Sequence, residues 1–335
     1  MTNQRSTGGH WSSGVCALRF VPPTTIELSS HAKASAHSES YRLPSGIVVY
    51  AFRSGVFLFD CEKWAPGAPV YIPRVVVKGG EKIPKAYTDA DKKAEIHVAN
   101  RTQLMNCFLA CLSTSISTVQ KTAQQLGQEV SPTTYLPVAG DSERISDLTV
   151  KQLEQLLEEF PKQARLGGST PLKQGTVEEA CRLLDSILRE EDVVQLVDLL
   201  YKGYFRYSLH DFSLAAVIAW AVCEKLLNVS WSRYLNDLRS ADQQAIRMPR
   251  QRLQKLMGRD FSASTLTEFH ELAGLLSFEM YNKLNQARQI RNAWMHNLES
   301  ATDHDAANAL QIAQELLKEI FSVELKIQLA RSSQY

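Results

Sequence analysis

Three side chains that can handle a phosphate and a proton occur together in the stretch "RNAWMH". They are Arg291, Asn292 and His296. Arginine binds phosphate oxygens and stabilises the charge that builds on them. Histidine titrates near neutral pH and can move protons to and from hydroxyl groups. Together they suit cleavage of RNA by its own 2′-hydroxyl, which needs no metal and leaves a cyclic phosphate and a 5′-hydroxyl.

Apolar residues recur around this motif at three- and four-residue spacing, which predicts one helix over 265–296. Arg291 falls on its apolar stripe, so we expect the guanidinium, which cannot lose its charge, to face a partner, a ligand or another subunit. Asn292 and His296, four apart, share one flank. Arg291 and His296 point about 140° apart on an ideal helix. Two copies around a two-fold axis would bring them to one cleft. The stripe consists of Phe269, Leu272, Leu276, Met280, Leu284, Ala287, Trp294 and Leu298.

A simpler interpretation of the same residues stays open. Cations near a helix C-terminus interact favourably with the helix dipole, and Arg291 and His296 would then only finish the helix. The spacing of an arginine and a histidine is short and common in sequences, so it does not by itself choose between the two interpretations.

Basic residues are concentrated in the run "RMPRQRLQKLMGR", which contains no acidic residue. Because the formal net charge of the chain is only +1, any contact with nucleic acid has to come from such a local patch. The run is either a solvated face between two helices or a phosphate-binding surface. The RNA-binding candidates are Arg247, Arg250, Arg252, Lys255, Arg259 and Arg288.

No metal or cofactor site is predicted. Cys107 and Cys111 have a spacing that could hold two metal ligands, but their neighbours are apolar and no second ligand pair follows, which favours buried core cysteines. His97, His210 and His270 are isolated. The glycine-rich phosphate and dinucleotide motifs, the serine-hydrolase motif and the zinc-protease motif are all missing from the sequence.

The composition is that of an ordinary globular protein, with 44% hydrophobic and 22% charged residues. The sequence has no uninterrupted apolar run of the length that a membrane span requires and no signal-peptide core at its start. The six cysteines are scattered, as in proteins with reduced thiols. We therefore expect a cytoplasmic protein with no membrane contact.

The chain changes character along its length and predicts an α+β protein. Residues 1–86 form a β-rich module, with strands at 17–21, 47–52, 56–60 and 70–80 and a loop over 29–39. Residues 87–145 contain one long helix ending at Gly127, followed by a linker. Residues 146–335 form a helical domain with segments at 147–160, 176–188, 192–209, 211–236, 265–296 and 303–331. Thr176 and Glu179 have capping-box spacing.

The segment "IRNAWMHN", in the penultimate helix of an all-α region, resembles the signature of HEPN-type ribonuclease domains. In that family an arginine, followed by a polar residue, precedes a histidine by a few positions, here Arg291, Asn292 and His296. The apolar helix 211–229 resembles an early helix of the family that carries an acidic residue, here Glu224. The resemblance covers about residues 190–330, and only the six-residue motif is specific.

The resemblance implies a metal-independent endoribonuclease that acts as a homodimer with a composite site. It also implies a role in antiphage defence or as a toxin, with an N-terminal module that senses a regulatory protein or phage-derived trigger. Glu224 would pair with Arg291. Two alternatives stay open. One is a non-catalytic helical module that binds RNA, a nucleotide or a protein, for which His296 would be dispensable. The other is that recognition by the β-rich module is the main activity.

Overall fold

The computed structural model describes residues 15–19, 26–27, 38–61, 63–64, 75–78, 81–84, 89–122, 129–130, 136–137, 171–241, 249–257 and 261–328. The chain divides into two compact units, Met1–Glu190 and Glu191–Tyr335. The described part is mostly helical, with a small antiparallel sheet in the first unit. The α+β class predicted from the sequence is therefore confirmed. The predicted domain boundary at 146 lies outside the described residues.

Five strands of the first unit form one sheet in the order β2-β3-β4-β1-β7, and two more form a separate hairpin. The five are β1 (Val15–Arg19), β2 (Ser38–Arg42), β3 (Val48–Phe52), β4 (Val56–Asp60) and β7 (Leu136–Pro137). The hairpin pairs β5 (Val75–Lys78) with β6 (Glu81–Pro84). The sequence predicted β5 but not β6, and it wrongly extended a loop over the first residues of β2. The polar strand β2, "SESYR", lies at the edge of the sheet, where a strand needs no apolar face.

The predicted hairpin between β3 and β4 is confirmed, with Ala51 opposite Phe57. Its turn is closed by the Gly55 N–H, which donates to the Phe52 carbonyl at 2.8 Å. Gly55 has a φ of +81°, a conformation that glycine adopts without a steric cost. Phe57 and Phe59, on one face of β4, both pack edge-on against Phe108 at about 5 Å.

Phe108 belongs to the long helix α1 (Asp89–Ser115), which ends earlier than the sequence predicted. Thr114 lies in the last turn of α1 and Thr118 just beyond it, and their hydroxyls donate to the carbonyls four residues before them. Such bonds compete with the regular helix pattern. The helix widens into a π turn (Ile116–Gln120) and stops at Lys121, which is left-handed. The prediction of one helix to Gly127 is therefore wrong.

A second helix, α2 (Gln174–Ile187), packs on α1. Lys173 is its N-cap, and no side chain caps it. Thr176 is therefore inside the first turn, where it is fully buried and its hydroxyl has no hydrogen-bond partner among the described residues. The predicted capping box at this residue is wrong. Asp185 accepts a hydrogen bond from the Ser45 N–H at 3.0 Å, which ties α2 to the turn before β3. The predicted helix 147–160 lies outside the described residues.

His97 on α1 makes the stability of the first unit depend on pH. Burial of the imidazole, helped by the charge of Arg101, lowers the pKa of His97 from 6.5 to about 4. Above pH 6.5 both states are neutral. Between 6.5 and about 4 only the unfolded chain takes up the proton, so stability falls as the pH falls and then levels off. The full shift corresponds to about 3.4 kcal/mol, and solvent screening of the partly exposed imidazole reduces this to about 2 kcal/mol. Thermal unfolding of wild type and His97→Gln between pH 4 and 7 measures this, and identical profiles would contradict it.

The second unit is built from α3 (Glu191–Ser208), α4 (Phe212–Ala241), α5 (Arg250–Leu256), α6 (Ala263–Leu272), α7 (Phe278–Asn297) and α8 (Asp303–Phe321). Helix α4 packs against α3, α6, α7 and α8. It runs parallel to α8, because the Ala301 N–H donates to Ser213 at one end and the Arg233 guanidinium lies over the Phe321 ring at the other. The short turns after α3 and α7 make those two helices antiparallel to their neighbours.

Helix α4 is the most apolar helix of the described chain. It is long and apolar enough to cross a membrane by length and composition, which the sequence analysis did not expect. Half of that apolar window is buried inside the unit, where α4 supplies the contacts to four other helices. Its hydropathy therefore has a use within the helical core.

The predicted single helix 265–296 is two helices, α6 and α7. Gly274, with a φ of +69°, breaks the chain direction, and the Ser277 hydroxyl starts α7 by accepting from the Met280 N–H. Leu272, predicted on the apolar stripe, is 79% exposed at the end of α6. The predicted final helix to 331 is also too long, because α8 ends at Phe321 and Ser322 is left-handed.

Candidate active site at the end of helix α7

The apolar stripe of α7 stops one turn before the motif. Met280, Leu284 and Ala287 are buried, and they pack the first half of the helix into the unit. The next positions of the stripe, Arg291 and Trp294, are only partly buried. The register of the prediction is correct, but within one chain Arg291 lies beyond the apolar contact rather than inside it. Its charge keeps part of its hydration.

The three motif residues share the last two turns of α7 but make few contacts with one another. The Arg291 guanidinium donates from Nη1 to the Asn292 amide oxygen at 3.0 Å. His296 is exposed in the last turn, and no hydrogen bond among the described residues joins it to Arg291 or Asn292. Arg291 and Asn292 therefore form a pair, and the imidazole stands apart from it, as the helix geometry requires.

Arg288 lies on the same flank of α7 as Asn292 and His296, because the three are spaced by four residues. It is partly buried and donates to the Asn285 amide oxygen at 3.3 Å. Its Nε is buried and has no hydrogen-bond partner among the described residues. Arg288 and Arg291 thus supply two guanidinium groups within one turn, with Asn292 between the first of them and the imidazole.

Glu224 does not pair with Arg291 in the single chain. It is partly buried on α4, and none of the ion pairs within the described ranges joins the two residues. The Glu224 backbone carbonyl accepts from Asn228, as in an ordinary helix surface. The supporting role that the sequence analysis gave to Glu224 has no contact behind it.

The turns α3–α4 and α7–α8 lie at the same end of the unit as the motif, where Ala301 meets Ser213. The sequence analysis missed the residues that fix this end. The Tyr207 hydroxyl bonds to Asp303, and Thr302 and Asp305 form a capping box at the start of α8. The capping box was readable as "TDHD" in the sequence, whereas the tyrosine contact joins distant positions.

Exposed apolar side chains surround the end of α7. Met295 is 51% exposed, and Leu298, the residue that caps the helix, is 74% exposed. Leu298 is also left-handed, with a φ of +57°, where glycine or asparagine is the usual residue because a side chain costs about 1 kcal/mol. Leu209 and Leu214, in and beside the α3–α4 turn, are exposed as well. A single chain gives no reason for a leucine in this conformation in water.

The remaining RNA-binding candidates lie elsewhere. Arg250, Arg252 and Lys255 are exposed on α5, which packs near the other end of α4, where the Trp231 Nε1–H donates to the Leu256 carbonyl. They are not brought together with Arg291. Arg247 and Arg259 lie outside the described residues.

The two cysteines lie in the core as the sequence predicted, whereas the isolated histidines differ from one another in their surroundings. Cys107 and Cys111 are fully buried, and burial raises the pKa of the Cys111 thiol well above its ordinary value. His270 is fully buried, and its burial lowers its pKa, whereas His210 occupies a left-handed turn beside Phe212. Within the described part of the chain, no group of three or more potential ligands is arranged to hold a metal ion.

No protein-family model, curated protein or solved structure matches this chain.

Proposed function

We propose that the protein is a metal-independent endoribonuclease of HEPN type, with Arg291, Asn292 and His296 as its catalytic residues. The observation that carries the proposal lies at the end of α7. There the partly exposed side chains of Arg288 and Arg291 and the exposed imidazole of His296 follow directly on the buried apolar stripe. This end of the helix presents phosphate-binding and proton-transferring groups without covering them.

The divergence of Arg291 and His296 on one helix is resolved by a second copy of the chain. A two-fold axis near the end of α7 would set the Arg291 of one copy beside the His296 of the other. The exposed Met295 and Leu298 supply apolar contact area at the same place. The left-handed Leu298 then has a reason, since its side chain would be buried in the dimer and its backbone cost offset there.

In the reaction, His296 of one copy takes the proton from the RNA 2′-hydroxyl, whose oxygen forms a bond to phosphorus. The bond from phosphorus to the 5′-oxygen breaks, and the second imidazole of the pair supplies a proton to that oxygen. Arg291 and Arg288 stabilise the extra charge on the phosphate oxygens. The products are a 2′,3′-cyclic phosphate and a 5′-hydroxyl. Asn292 holds the Arg291 guanidinium in place.

The proposed role is antiphage defence or toxicity in the cytoplasm. The first unit would respond to a regulatory protein or a phage-derived trigger. The resemblance of the motif to the HEPN signature supports this role.

The test is cleavage of end-labelled RNA by the purified protein in excess EDTA. We expect cleavage to continue. The downstream product should carry a 5′-hydroxyl, so that a ligase joins it only after it has been phosphorylated, and the upstream product should show the mass of a 2′,3′-cyclic phosphate. A 2′-O-methyl version of the same RNA lacks the nucleophile and should stay intact. Cleavage of the methylated strand, or loss of cleavage in EDTA, would contradict the mechanism.

A second candidate function is non-catalytic binding of RNA, a nucleotide or a protein. It is favoured by the position of His296 in the last turn of α7, where an imidazole also suits the helix dipole. In that case the basic surface of α5 matters and His296 does not.

A further inference from the structure

A second surface of the helical unit combines positive charge with aromatic rings and has no part in the proposed chemistry. It consists of α5 and of four rings beside it, from Trp231, Tyr234, Phe261 and Phe269. Leu253 packs on Leu235, and the Trp231 Nε1–H donates to the Leu256 carbonyl at 3.1 Å. These contacts use the apolar side of α5, so its polar side faces solvent.

Two cations on that polar side have no acidic partner within the described ranges. Arg250 and Lys255 are both exposed, and neither has an ion-pair partner among the described residues. The run that contains them has five basic residues and no acidic one, in a chain with a net charge of only +1. The surface therefore concentrates positive charge locally, as contacts to a phosphate backbone require.

The four rings form a connected series on the same side of the unit. Trp231 lies 5.5 Å from Tyr234 and 5.6 Å from Phe269, with which it stacks, and Phe269 lies 5.4 Å from Phe261. All four rings are partly exposed. Bases of single-stranded nucleic acid stack on such rings, with about 1–3 kcal/mol per base, while basic side chains hold the phosphates.

The length of α4 separates this surface from the end of α7. The α7–α8 turn meets α4 at Ser213, and α5 meets it around Trp231 and Leu235. At about 1.5 Å per residue, these points lie about 30 Å apart along the helix. A strand with a stacked rise of about 3.4 Å per nucleotide needs roughly nine nucleotides to cover that distance.

We propose that α5 and its aromatic neighbours form a non-catalytic anchor for single-stranded RNA, about 30 Å from the cleavage site. The inference rests on the proposed ribonuclease function, because only then does the end of α7 hold the same strand. Its consequence is a length dependence: a strand of roughly nine or more nucleotides reaches both contacts and binds tightly, whereas a shorter strand reaches only one.

The experiment measures binding of fluorescein-labelled 2′-O-methyl oligouridylate by anisotropy, with strands of four and of sixteen nucleotides. The modified strand cannot be cut by the proposed reaction, so the unchanged active site can be used. The variant is Arg250→Glu with Lys255→Glu. Lys225→Glu is the control, because it reverses an exposed charge on α4 whose partner is the surface residue Asp192.

We expect the double variant to weaken binding of the sixteen-nucleotide strand tenfold or more. The four-nucleotide strand can still bind at the end of α7, so its affinity should fall much less. The slope of log affinity against log salt is negative, and its magnitude should decrease by about 1.4 for the long strand, since each lost contact with a single strand contributes about 0.7. Lys225→Glu should change neither. Phe261→Ala, which removes a ring without changing charge, should weaken the long strand and leave the salt slope as it is.

The inference is wrong if the double variant weakens both strands equally, or weakens neither. It is also wrong if the variant instead loses binding to phosphatidylserine vesicles, since the surface would then recognise a membrane. The proposed function can fail separately. If binding depends on strand length as expected but natural RNA is not cleaved, the anchor is supported and the proposed nuclease activity is wrong.

Discussion

Replacing His296 by alanine should reduce RNA cleavage by about 10²- to 10⁴-fold, the usual contribution of a positioned acid or base. The imidazole is exposed in the last turn of α7 and has no hydrogen bond to the other motif residues. Its removal should therefore change the free energy of unfolding by no more than about 0.5 kcal/mol. The measurement is the single-turnover rate on labelled RNA, together with the melting temperature.

Two further variants separate proton transfer from a structural role. His296→Lys keeps a cation at the helix C-terminus, and therefore the interaction with the helix dipole, but a lysine does not exchange protons near neutral pH. It should be as inactive as alanine. His304→Ala removes another exposed imidazole at the same end of the unit and should keep full activity. Full cleavage by His296→Lys would reduce His296 to a helix cap.

Arg291 should show a different pattern from His296. Arg291→Lys retains the charge but loses the planar pair of donors that one guanidinium offers to a phosphate. We expect it to lower the cleavage rate with little change in RNA affinity, because Arg288 and the α5 surface still hold the strand. This behaviour follows from charge stabilisation in the transition state and would not follow from a role in ground-state binding alone.

The parts of the fold that were predictable follow strong local rules. The β3–β4 hairpin has alternating and buried apolar runs around a glycine turn, and it was found at its correct position. Strands β2 and β6, whose sequence patterns are weak, were not predicted. β2 is polar because it lies at the sheet edge, and β6 consists of four residues of mixed type, so neither carries a periodic signal.

Helix ends were the main source of error, for physical reasons that lie in single residues. Gly274 allows the break between α6 and α7, yet a lone glycine within an apolar pattern is also tolerated inside helices. The end of α1 depends on threonine hydroxyls that bond to the preceding turn. Helix propensity treats those threonines only as weak helix formers, and it does not predict the π turn that accompanies them.

The position of the three motif residues on one helix was predictable from their spacing, but their exposure was not. The stripe that runs through Met280, Leu284 and Ala287 does continue to Arg291 in register. Its burial ends at Ala287 because of what α7 packs against, and tertiary contacts of that kind are not encoded in periodicity. The expected ion pair between Glu224 and Arg291 is not formed within the described chain. Periodicity places each residue on a helix, but it does not say which residues of two helices meet.

Leu298→Asn should stabilise the single chain and weaken the dimer. Asparagine adopts the left-handed conformation of Leu298 at lower cost, so the single chain should gain up to about 1 kcal/mol. A two-fold interface, however, would lose a leucine from both copies, or at least about 3 kcal/mol. The dissociation constant of the dimer should rise roughly 100-fold, and cleavage at low protein concentration should fall with it.

Leu272→Asn is the matched control, because Leu272 is as exposed as Leu298 but lies at the end of α6, away from the end of α7. Sedimentation equilibrium and cleavage rates across a range of protein concentrations measure both variants. Leu272→Asn should behave as wild type in each. If Leu298→Asn raises the melting temperature and leaves mass and cleavage unchanged, the end of α7 is not a subunit interface. Arg291 and His296 would then have no second copy to complete them, since one straight helix keeps the two side chains about 140° apart.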